Sequence, residues 1–167
     1  MNNLDFKNAV DEMETLCKEV VLKDSADRKV GICGFCMGGA LTLASAALFE
    51  KPLAACAPFY GIPPDVLCNV ADIPKKTPVQ GHYGDMDAMA GFSDKAAADK
   101  LEETLKGAGG DKEVEIFHYE KEGHAFMNTS DFSKEQRKIL NFPGEYTDEA
   151  RELAWTRLTA FMKKHLF

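Results

Sequence analysis

Between positions 4 and 22 the apolar residues Phe6, Ala9, Val10, Met13, Leu16, Cys17 and Val20 recur at three- and four-residue spacing, with charges between them. That period predicts an amphipathic helix. A polar turn follows over 23–28. The run 30–33 is then short, apolar and uninterrupted, the pattern of a buried strand. Residues 40–49 read as an alanine-rich buried helix, limited by Pro52. A second apolar strand covers 53–60 and closes on Gly61 and a Pro63-Pro64 turn. Strands are also predicted over 77–83 and, from its alternation, 113–119. Residues 93–106 form an amphipathic helix, with Ser93 as its N-cap and Gly107 as its stop. A long closing helix covers 147–166, capped by Thr147 and packing through Leu153, Leu158, Phe161 and Met162.

Strands alternate with helices throughout, which predicts a parallel sheet with helices on both faces. Ligands of such sheets lie at the carboxyl ends of the strands, so the chemistry is expected just after Cys33, Tyr60, Tyr83 and Tyr119. There is no internal repeat and no linker-like stretch. The 167 residues suit one domain spanning 1–167.

Composition narrows the partners. At 45% hydrophobic and 28% charged residues, disordered and collagen-like classes drop out. A net charge of −7 argues against a nucleic-acid backbone and against an anionic membrane surface. No apolar run approaches the ~20 residues of a membrane helix, and the opening residues lack a signal-peptide pattern. The five cysteines, an odd number, read as reduced thiols in a cytoplasmic setting, not as a disulfide framework.

The most specific local feature is Gly34-Phe35-Cys36-Met37-Gly38-Gly39, between a predicted strand and a predicted helix. It has the form of a nucleophile elbow with Cys in place of Ser. The glycines allow a strained turn packed closely between its neighbours. Cys36 would point into the crevice at the start of the next helix, where backbone amides lower a thiol pKa, and the Met37 N–H could donate to an oxyanion. The plain alternative is a glycine-rich turn beside a buried Cys. A third reading pairs Cys33 with Cys36 as a redox or metal motif. Zinc would need two further ligands, and no second CxxC or close His pair is present. A redox pair would sit at a helix start, whereas Cys33 fits the strand.

An elbow nucleophile needs a base, and the base needs an orienting carboxylate, in the chain order nucleophile, acid, His. Asp87 follows the third strand and is the favoured acid; Asp85 is the fallback, and either could be a simple turn residue. His124 lies in the loop after the fourth strand. His82 and His118 fall within strands and His165 in the last helical turn. His124 is therefore the candidate base.

These residues resemble the dienelactone hydrolase family of the α/β-hydrolase superfamily. The matching segments are 29–41 around Cys36, 59–61 (Phe59-Tyr60-Gly61), 82–87 (His82-Tyr83-Gly84-Asp85-Met86-Asp87) and 123–128 (Gly123-His124-Ala125-Phe126-Met127-Asn128). The closing helix, with Ala154, Trp155 and Phe161, looks like the family's C-terminus. The resemblance implies an α/β-hydrolase-like three-layer sandwich with a mostly parallel sheet. It implies hydrolysis of a small ester or lactone without a metal or other cofactor, with Cys36 as nucleophile, Asp87 as orienting acid and His124 as base. Phe35, Tyr60 and Phe126 would line the pocket unless they serve the core.

Two departures from the family pattern modify this expectation. The family's lactone hydrolases hold a substrate carboxylate with an Arg a few residues past the His; here Met127-Asn128 stands there, and no Arg occurs until Arg137. That argues against a dienelactone as substrate. The elbow also comes early. A βα unit takes roughly 30 residues, so 35 residues before Cys36 hold one helix and one strand. The chain would then lack the first strands of the full fold, which supply the second oxyanion donor, a carboxylate near the resting Cys, another substrate Arg and the neighbour of strand 30–33. A bare edge there invites a homodimer or a pairing chain. A non-catalytic binding module and a Cys33/Cys36 redox protein remain the alternatives in function.

Overall fold

The computed structural model describes residues 5–23, 25 and 27–167. Residues 1–4, which hold the predicted start of the first helix, and positions 24 and 26 of the polar turn lie outside the described residues. Helix α1 (Phe6–Leu16) is capped by Asp5, whose side chain accepts from Asn8 N–H, and runs into a single π turn at Cys17–Val21. Then follow β1 (Gly31–Phe35), α2 (Met37–Leu48), β2 (Ala55–Phe59), a 3₁₀ segment (Val70–Lys75), β3 (Val79–Gly84), α3 (Lys95–Gly107), β4 (Val114–Tyr119), α4 (Asp131–Ile139) and α5 (Asp148–Leu166).

The four strands form one parallel sheet in the order β1-β2-β3-β4. Side chains alternate across it. Ala55, Ala57 and Phe59 of β2 face one way, joining Tyr119, Phe126 and the α5 residues Ala154, Leu158 and Phe161 in one core. Cys56 faces the other way, with Val79, Tyr83 and Ile116, against Val10 of α1, Leu43 of α2 and Leu101 and Leu105 of α3. Helices thus cover both faces, as the alternation of elements predicts. Among the described residues no helix is long and apolar enough to cross a membrane.

Several details differ from the sequence expectation. Strand β1 extends through Gly34 and Phe35, because the sheet continues to the elbow itself. Helix α3 is capped at Asp94, leaving Ser93 for another contact. Leu153 is exposed, since it lies on the outer face of α5, while Leu158 and Phe161 are buried. Helix α4 is not among the predicted elements; its one buried residue is Arg137, and its apolar residues Phe132 and Ile139 are exposed.

The elbow fixes how α2 meets the sheet. A Cβ on Gly39 would run into the Phe59 carbonyl oxygen, and one on Gly34 into Gly38 backbone. A Cβ on Gly38 would meet nothing within 4 Å. Gly39→Ala is therefore expected to destabilise the fold by about 1–3 kcal/mol in a thermal or urea melt. Gly38→Ala, in the same helix, should be neutral or stabilising by up to ~1 kcal/mol.

Candidate active site

Cys36 sits between β1 and α2 with φ 56° and ψ −121°, a backbone conformation that few non-glycine residues adopt. Its N–H donates to the Phe59 carbonyl, 3.0 Å away on the neighbouring strand, and its carbonyl accepts from Gly39 and Ala40 of the next turn. The side chain is thereby turned out of the sheet into the crevice at the strand ends. The Met37 N–H is hydrogen-bonded to the Cys36 sulfur.

His124 comes from the loop after β4, and its Nε2 lies 3.2 Å from Cys36 Sγ. Its Nδ1 lies 2.7 Å from Asp87 Oδ2. The Asp87 side chain is fully buried, and its Oδ1 accepts from Met89 N–H at 3.0 Å. One bonded series therefore runs from the acid through the imidazole to the thiol. Its electrostatics favour an ion pair. The bond from His124 lowers the Cys36 pKa against the opposing effect of burial, with help from the Met37 amide. Burial alone would lower the His124 pKa, but the bonds to Asp87 and Cys36 outweigh it and push it up to about 9.

The other titratable groups fall elsewhere. Asp85 bonds His118 Nδ1 at 2.7 Å, on the side of the sheet covered by α3. His82 is buried, stacked on Phe59 with ring centres 4.2 Å apart and bonded to Tyr119 and Gln80. Burial, with Arg157 nearby, pushes its pKa down to about 3. His165 bonds Glu113 at the far end of α5. Cys33 is an exposed free thiol on β1 whose pKa is raised by burial of its sulfur, the opposite of a reactive redox cysteine.

Of the predicted pocket residues, Phe35 and Tyr60 line a cavity of about 570 Å³ beside the elbow. Phe126 does not. It is wholly buried, with its ring against Tyr60 and Tyr119, so it supports Tyr60 from behind. Tyr60 itself, at φ 36°, presents its ring edge-on to His124 at 5.3 Å.

Three further residues hold the site, and periodicity does not single them out. Ser93 is buried with its Oγ 3.2 Å from His124 Nδ1; beside Asp94 it reads equally well as a cap. Glu122 is buried, and its Oε1 accepts from Thr147 N–H and Oγ–H at 2.9 and 2.7 Å, tying the His124 loop to the start of α5. Arg137 lies 4.0 Å over the Tyr146 ring and donates to the carbonyls of Ala125 and Asn128. The one signal for these two is a charged residue close to the motif, which a solvated loop would carry equally well.

A parallel sheet with a cysteine elbow after β1, an acid after β3 and a histidine after β4 defines an α/β-hydrolase fold. The crystal structure of MGS-M1, an α/β hydrolase enzyme from a deep-sea metagenome library of the Medee basin, shares this fold with a TM-score of 0.65 at 15% identity, over 99% of this chain and 66% of that one. The chain belongs to the dienelactone hydrolase family, whose model matches residues 3–166. Protein usf of Aquifex pyrophilus is 29% identical over 166 residues, and the carboxymethylenebutenolidase of Rhodococcus opacus is 25% identical over 173. These matches cover 96% and 98% of this chain, which spans 64% and 60% of those proteins.

The lowered thiol pKa has a direct chemical readout. Cys36 is expected to be alkylated by iodoacetamide at pH values where Cys33, Cys56 and Cys68, all with raised pKa values, stay unreacted. Mass spectrometry of His124→Ala should show the Cys36 pH profile moving upward. An unchanged profile would mean that the imidazole does not activate the thiol.

Proposed function

We propose that the chain hydrolyses a small ester or lactone through Cys36, His124 and Asp87, acting as one domain. The observation that carries this reading is the continuous series Asp87–His124–Cys36 on a strained elbow at the start of α2. The Cys36 thiolate attacks the substrate carbonyl, and a sulfur–carbon bond forms. The developing oxyanion takes the Met37 N–H, which already faces the sulfur. The carbon–oxygen bond to the leaving alcohol then breaks as His124 returns a proton to that oxygen. Water, deprotonated by His124, attacks the thioester and releases the acid and the thiolate. Asp87 keeps Nδ1–H oriented and stabilises the imidazolium.

The substrate is a small ester with no free carboxylate. Arg137, the first arginine after His124, is engaged by two carbonyls and the Tyr146 ring. Strand β1 has β2 as its one neighbour among the described residues. We assign its other edge to a second strand-bearing chain, most simply a second copy, since open edges seek partners. The free thiols suit a reducing, cytosol-like compartment.

The test is turnover of p-nitrophenyl acetate. Cys36→Ala should abolish hydrolysis above background, and Asp87→Asn should cost about a hundredfold or more. Asp85→Asn should stay within about threefold, because Asp85 is bonded to His118 and not to His124. Wild type indistinguishable from Cys36→Ala would leave a binding module as the function. Sedimentation of a monodisperse monomer would refute the edge pairing without touching the chemistry.

A further inference from the structure

The cavity beside the elbow has a wall composition that selects a ligand. Phe35, directly before Cys36, Tyr60, whose ring packs against His124, and Trp155 of α5 all line it. Phe35 and Trp155 are 40% and 51% exposed, so aromatic surface is offered to whatever enters. Aromatic faces carry negative potential and attract cations, Trp most strongly.

The charges around these rings point the same way. Met127, Asn128 and Thr129 line it without charge, and Asp148, Arg151 and Glu152 are its charged residues. Arg151 is occupied: Nη1 donates to the Tyr146 carbonyl at 2.8 Å and Nη2 is paired with Asp148. Glu152 makes no hydrogen bond or ion pair among the described residues. The wall therefore offers one uncommitted carboxylate beside two exposed rings, and its arginine is already engaged. The net charge of −7 adds a field of the same sign.

We infer that this cavity holds the positive end of an ammonium-bearing ester or thioester, whose carbonyl then reaches Cys36. Trp155 and Phe35 supply the cation–π surface, with the buried Tyr60 as the floor beside His124, and Glu152 supplies the counter-charge. This substrate class rests on the hydrolase reading for its turnover, but the binding of the cation stands apart from it. For a thioester such as acetylthiocholine, the Cys36 sulfur bonds the acetyl carbon and the carbon–sulfur bond to thiocholine breaks. The leaving sulfur takes the His124 proton, and water then releases acetate and restores the thiol.

Trp155 is the single tryptophan, so its fluorescence reports this cavity alone. Titrating choline into the Cys36→Ala chain should give a saturable change. The uncharged isostere 3,3-dimethylbutanol should bind at least about fivefold more weakly, and Glu152→Gln should weaken choline binding about fivefold. No saturable response to choline, an equal response to the isostere, or tighter binding of 3,3-dimethylbutyrate would overturn the inference. The last result would instead make Arg151 a carboxylate receptor. In turnover, wild type should prefer acetylthiocholine over S-(3,3-dimethylbutyl) thioacetate. Equal Cys36-dependent turnover of the two overturns the cation preference and leaves the hydrolase standing. Choline binding without Cys36-dependent turnover overturns the hydrolase and leaves the cation site.

Discussion

At Cys36 the chain must leave a strand, turn sharply and enter a helix while pointing one side chain at the crevice. It does so at φ 56°, a conformation that costs a non-glycine residue of order 1–3 kcal/mol. The surrounding backbone over-determines that turn. Phe59 on β2 accepts the Cys36 N–H, Gly39 passes against the same strand, and Gly61 lies against the Cys36 carbonyl so closely that a Cβ would collide with it. Two separate stretches of chain, 36–40 and 59–61, thus share one crowded junction. The placement of α2, the exit of β2 and the aim of the thiol are all consequences of it.

The histidine side of the site is held by polar contacts where the thiol side is held by close packing. The Met86 N–H donates to the Glu122 carbonyl, so the acid loop and the histidine loop are bonded directly. The Glu122 carboxylate anchors the start of α5, and Gly123 lies against the Pro143 carbonyl with no room for a side chain. Arg137 closes the same loop from α4. Buried polar networks of this kind fix geometry when most members are satisfied. Here Glu122 Oε2 is without a hydrogen-bond partner, which marks the carboxylate as the network's least comfortable member.

The parallel sheet, the elbow, and the loops carrying Asp87 and His124 are legible because each has a local signature: apolar runs, paired glycines, a histidine beyond a strand. Strand β1 was placed two residues short because glycine and an aromatic before an elbow look like turn, although sheet pairing carries them along. Ser93 is not the cap because the helix starts one residue later, with Asp94 in the cap position, and the Ser93 hydroxyl turns to His124 instead. Phe126 was drawn toward the pocket by adjacency to His124, whereas the turn at Ala125, φ 60°, sends it inward. Helix α4 and the role of Arg137 are harder to read because the packing inverts the usual rule: Arg137 is buried while Phe132 and Ile139 are exposed.

The bond between His124 and Cys36 joins residues 88 apart in sequence. Closing so long a loop is entropically costly, so it waits for the strands between to pair. The Asp87–His124–Cys36 series therefore forms only in molecules whose sheet is complete from β1 to β4. Local opening of α5, or of the loop after β4, would disconnect the imidazole while leaving the thiol on its elbow. The bonded series is thus a readout of foldedness: it is made only where distant parts of the chain are packed together.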